Sequence, residues 1–253
     1  MLQKIAQANP VLYYSGLVSL FCGLLAMVMA CITDRQVMGV NAWIKPLKFF
    51  LSIGLFNWTM AFYLSYLPAE KATAIRWYSW MVVIVFLFEM VVIAGQAARG
   101  QLSHFNVSSP LNGALFSLMG VAILTLTTWT AVTATWFFKT GVPDGLTAVY
   151  WWGIRLGLVL FCLFSYEGMV MAKNLQHTVG APDGSDGLPL VNWSKKHGDL
   201  RIAHFVGMHA LQVLPLLGYF LLKRPAEIIA AAVVYGAGAL WLFLRALAGK
   251  GFM

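Results

Sequence analysis

Seven stretches of mostly apolar residues, each about twenty long as a hydrocarbon layer of about 30 Å requires, run through this 253-residue chain. They occupy residues 11–31, 46–67, 77–98, 111–138, 147–173, 201–222 and 226–247. No water-soluble fold needs that pattern so often. Apolar residues make up 60% of the chain and charged residues 10%, against about 45–50% and about 25% in soluble proteins. Backbone polar groups cannot stay unpaired in hydrocarbon, so each span is expected to be helical. The fold expected is an all-α polytopic membrane protein, a single bundle of seven transmembrane helices in a lipid bilayer.

Turn residues separate the spans: Thr33-Asp34-Arg35, Leu67-Pro68-Ala69-Glu70, Ser108-Ser109-Pro110, Gly141 to Gly145, and Lys223-Arg224-Pro225. One connection is long. Residues 174–200 hold Gly180, Pro182, Asp183, Gly184, Ser185, Asp186 and Gly187, the composition of a polar, turn-rich loop. No internal repeat of useful length is present, which disfavours an inverted-repeat architecture. The first apolar stretch exceeds a typical signal-peptide core and is read as an uncleaved helix. Cys22, Cys31 and Cys162 form no CxxC pair and read as small apolar fillers.

Seventeen basic and nine acidic residues give a net charge of +8. At a mean hydropathy of +0.76, that excess speaks for membrane topology and anionic lipid, not nucleic acid. Alternating spans put six basic residues on the side of the N-terminus and ten on the other. The positive-inside rule then favours an outside N-terminus and a cytoplasmic C-terminus. Four of the ten, Lys45, Lys48, Arg99 and Arg201, are also candidates for function, and without them the two sides are equal.

Ionisable groups inside a bilayer are costly, so each is a candidate functional position. Lys45, Lys48, Ser52 and Thr59 fall within an arc of about 60° on one helix, and the two lysines could hold an anionic group. Glu89 lies near the middle of the third span, with Gln96 two turns later on the same face. His104 follows Arg99 and Gly100 just beyond it. The sixth span carries Arg201, His204, His209 and Gln212, with Asp199 just before it. Asp199 also suits a plain N-cap role. His204 and His209 are five residues apart, about 140° around a helix. The metalloprotease spacing for gripping one zinc ion is four. Glu167 in the fifth span approaches the same polar face, whereas Arg155 belongs to the opposite leaflet.

Three kinds of function follow. A b-type haem, making this a redox or ligand-binding protein, would use His104, His204 or His209 as axial ligands. Lys45, Lys48, Arg99, Arg201 and Gln212 would hold its polar edge, and Gly207, Ala210 and Gly100 would give the ring room. A metal-dependent enzyme acting on lipid would bind zinc or iron through the same histidines, with Glu89, Glu167 or Asp199 as catalytic carboxylates. Its layout resembles that of seven-helix metal-dependent lipid amidases, with no ligand set matched residue by residue. The third is a transporter, a receptor or an accessory subunit without chemistry, its basic face receiving a small anion or anionic lipid. Self-association or docking into a larger membrane complex fits the small residues of the last span. That span has no lysine at its centre, which leaves a retinal Schiff base without an anchor.

Overall fold

The computed structural model describes residues 2–184 and 187–252, so Ser185 and Asp186 of the long loop lie outside the described residues. Among the described residues, seven helices are long and apolar enough to cross a membrane. The fold is an all-α seven-helix membrane bundle with little sheet. Its outward faces stay apolar: Phe21, Val28, Val91, Leu118 and Val234 are each more than half exposed, as expected where lipid is the solvent. Chain contacts gather in two compact units, Met1–Leu126 and Thr127–Met253, divided within one long helix.

The first unit begins with α1 (Leu2–Ala8), a short helix before the first span that hydropathy alone did not suggest. Asn9 ends it and caps α2 (Pro10–Ile32), accepting from the Leu12 amide at 3.1 Å. Its amide also donates to Ser79 Oγ at 2.8 Å. A small hairpin pairs β1 (Gln36–Val37) with β2 (Val40–Asn41). Then come α3 (Ile44–Leu64), α4 (Ala72–Ala98) and the start of α5 (Pro110–Lys139). α3 starts one turn-half earlier than Pro46, because proline needs no amide partner in a first turn. α4 starts earlier than residue 77, since Ala72, Ala74 and Arg76 are good helix formers that a hydropathy window discounts. Ile53, Met90, Ile93 and Met119 form the core of this unit.

The second unit holds the rest of α5, then α6 (Ala148–Asn174), α7 (Leu200–Phe220) and α8 (Pro225–Leu247). A second hairpin, β3 (Thr178–Val179) with β4 (Gly198–Asp199), brings the start and end of the long loop together. α6 and α7 meet almost backbone to backbone. A Cβ on Gly157 would lie 2.8 Å from the Ala210 carbonyl oxygen, and one on Gly153 would lie 2.9 Å from that of Leu214. Arg155 closes the end of α5: its Nε donates to Phe137 O at 2.9 Å and an Nη to Thr140 O at 2.7 Å. Its guanidinium also lies 4.9 Å from the Trp152 ring centre. This buried arginine is therefore a helix-end partner.

Candidate functional site

Among the described residues, each unit has a buried carboxyl well inside a span with a basic side chain beside it. In the first unit the carboxyl is Glu89, 2% exposed on α4, with Oε1 lacking a hydrogen-bond partner. Lys45, in the first turn of α3, supplies its attractive charge interaction. The same ammonium lies 5.8 Å from the Phe49 ring centre. His104 sits against that ring as well, 5.9 Å between centres, with Phe116 at 6.4 Å and Ser103 Oγ 3.2 Å from its Nδ1. Lys48 is half-buried one turn further along α3, and Arg99 is exposed at the C-cap of α4.

In the second unit the carboxyl is Glu167 of α6. Its side chain is 5% exposed, and both oxygens lack a well-aligned hydrogen bond. The imidazole of His204, 24% exposed, brings Nδ1 to 3.4 Å from Glu167 Oε2. That nitrogen lies closer to the Phe164 carbonyl oxygen, at 2.7 Å. A carbonyl can only accept, so in the neutral ring Nδ1 carries the hydrogen and Nε2 the lone pair. The contact to Glu167 is then of ion-pair length without being the primary hydrogen bond. His204 is four residues into α7 and Glu167 seven before the end of α6, which places the pair about 6–10 Å inside the helix ends.

The other α7 candidates are spread apart. Asp199 is the N-cap, accepting from the Arg201 and Ser194 amides, and it pairs with Arg201 at 2.6 Å. Arg201 also donates to Asn192 O at 2.5 Å. Its charge is thus used to close the loop onto the helix. His209 donates Nδ1–H to Phe205 O at 2.7 Å and lies tilted against the Phe205 ring, 4.0 Å between centres. Gln212 is half-buried further along the helix.

Two steric expectations need correction. Gly207 and Ala210 open no space of their own for a ring. The Phe164 ring fills the space over Gly207, and Ala210 lies against Gly157. Gly100 is required for a left-handed backbone turn after α4, at φ +67°, not for a cofactor plane. His104 belongs to the first unit, His204 and His209 to the second. Among the described residues, no group of three or more His, Cys, Asp or Glu could hold a metal ion.

Two clusters escaped the sequence reading. Gln96 Nε2 donates to Asn112 Oδ1 at 2.8 Å, and Asn112 Nδ2 donates to Ser108 Oγ at 3.0 Å. This buried amide network ties α4 to α5, so Gln96 is a structural partner here. In the long loop, Asp183 accepts from the His177 and Thr178 amides and meets His177 Nδ1 at 2.7 Å. Burial works against the Asp183 charge, but His177 and Thr178 outweigh it and hold this carboxyl well below the usual carboxylate range. The signal was a His and an Asp six apart with Gly180 and Pro182 between them, a spacing that lets a turn close on itself. No known protein family, curated protein or solved structure matches this chain.

Proposed function

We propose that the protein is a proton-linked membrane transporter in which Glu167 and His204 exchange the coupled proton. The observation that carries this reading is a buried carboxyl, both oxygens short of hydrogen bonds, 3.4 Å from a partly exposed imidazole inside a membrane span. A proton arriving at His204 Nε2 makes an imidazolium. Its Nδ1–H then shifts from Phe164 O to Glu167 Oε2, leaving a neutral carboxyl and a ring protonated on Nε2, a short-lived tautomer because its bare Nδ1 faces the Phe164 carbonyl. Loss of the Glu167 proton to the other side of the pair restores the carboxylate, and exchange of the ring proton with water, off Nε2 and onto Nδ1, restores the starting tautomer. Glu89 with Lys45 offers a second such carboxyl in the other unit. Lys45, Lys48 and Arg99 are the cations that would receive a small anion as the coupled solute. The basic-residue count argues for an outside N-terminus and a cytoplasmic C-terminus.

The direct test is reconstitution into vesicles loaded with a pH-sensitive dye, under an imposed potential, with a panel of small organic and inorganic anions outside. At least one anion should drive proton movement above that of empty vesicles. Glu167→Gln and His204→Ala should each abolish it. Proton movement equal to that of empty vesicles for every anion, or unchanged in both variants, overturns the proposal.

A second reading, a b-type haem bound through His204 or His209, has one observation in its favour. Both rings tie Nδ1–H to a backbone carbonyl, which leaves Nε2 as the metal-binding lone pair, and His204 has a carboxylate behind it, a common support for a metal-bound imidazole. A visible absorption scan of the purified protein decides it. A Soret band lost in His204→Ala or His209→Ala supports haem. A colourless protein that moves protons leaves transport alone.

A further inference from the structure

A cleft of about 360 Å³ opens in the first unit, lined by Met29, Thr33, Asp34, Arg35, Trp43 and Ala98. Met29 and Ala98 belong to the last turns of α2 and α4, so the cleft sits where these spans leave the hydrocarbon. One side chain ties together the chain at Thr33 and Trp43, two of the lining residues. Asn41 donates to Ala30 O at 3.0 Å and Thr33 O at 2.6 Å, and accepts from the Trp43 amide at 2.9 Å. The stem of Arg35 lies along Gly100, where a Cβ would come within 3.1 Å of Arg35 Cδ. Asp34 and Arg35 are both exposed, and the ion pairs among the described residues include neither of them.

We propose that this cleft seats the zwitterionic headgroup of a phospholipid. The guanidinium fork of Arg35 matches a phosphate. The Asp34 carboxylate and the Trp43 ring together suit an ammonium, tryptophan being the best aromatic partner for a cation. One acid and one base sum to no net charge, so a purely anionic headgroup would meet repulsion from Asp34. Met29 and Ala98 are the aliphatic part of the lining and come from the ends of two spans. This site is independent of the proton pair in the second unit.

The test uses the full-length protein, stripped of lipid in detergent and titrated by native mass spectrometry. Three probes are compared: short-chain phosphatidylethanolamine, short-chain phosphatidylglycerol and tail-less glycerophosphoethanolamine. Saturable binding of phosphatidylethanolamine is expected, weakened about tenfold in Arg35→Gln and in Asp34→Asn, with phosphatidylglycerol weaker on the unmodified protein. Helix content measured by circular dichroism confirms that both variants fold. Equal binding of the two lipids with no effect of Asp34→Asn would mark a simple anion site and overturn the proposal. Equal binding of the tail-less probe would overturn it in favour of a soluble ligand, and unchanged binding in both variants would remove the cleft from lipid recognition altogether.

Discussion

At Glu167 and Asp199, two acids joined by one helix pair, the same side-chain chemistry takes opposite roles. Asp199 has its oxygens saturated by two amides and the Arg201 guanidinium, which is the profile of a cap. Asp199→Ala should therefore lower stability by roughly 2 kcal/mol or more, through loss of the N-cap and of a buried ion pair's acidic half. Thermal unfolding of the detergent-solubilised protein measures it, and an unchanged midpoint would remove the structural role. Glu167 has the reverse profile, with oxygens short of donors, so Glu167→Gln should change proton exchange far more than folding. Asp183 carries a pH prediction. Its carboxyl sits below the ordinary range in the folded loop, so its stabilisation is complete above about pH 3.9, the unfolded value, and is lost as pH falls below that. The loop should stay protease-resistant through mild acid and open only in strong acid. Asp183→Ala leaves two backbone amides without their acceptor, and should make residues 175–199 cleavable already at neutral pH. Limited proteolysis across a pH series checks both statements.

At the scale of the helix, small residues let α6 and α7 approach each other closely. Gly153, Gly157 and Gly218 each approach the opposing backbone so closely that a Cβ would lie 2.8–2.9 Å from a carbonyl oxygen. Gly157→Val should cost about 1–3 kcal/mol by overpacking, and because Glu167 and His204 ride on these two helices, it should impair proton exchange as well. An unfolding midpoint equal to that of the unmodified protein would contradict the close approach. These glycines also show how far the sequence could be read. The seven spans were legible because hydropathy registers the solvent a segment lives in, and Glu89, Glu167 and His204 stood out because charge in a span is rare. What a small residue makes room for was not legible. Gly207 beside His209 fits a porphyrin and a phenylalanine equally well until the neighbouring helix is in place, and the occupant is Phe164. The Gln96–Asn112 network was hidden for a related reason. Uncharged amides in a span raise little alarm, and their partner is fixed only by packing.

For the whole chain, a membrane-spanning fold with so few charges makes the placement of each one informative. The predicted outside N-terminus is checked by labelling single cysteines introduced into the loops of intact cells. Modification from outside at residues 68–71 and 140–145, but not at 102–108, agrees with it, and the opposite pattern reverses it. The claim on which the functional account rests is that Glu167 and His204 exchange a proton. It is tested most directly by infrared difference spectroscopy of the protein in lipid, stepping pH across the range where histidines ordinarily titrate, about pH 5 to 8. The predicted result is a carboxyl C=O band that changes with pH, is absent in Glu167→Gln, and loses its pH dependence in His204→Ala. A Glu167 band that stays constant over that range, or one indifferent to the loss of His204, would contradict the account.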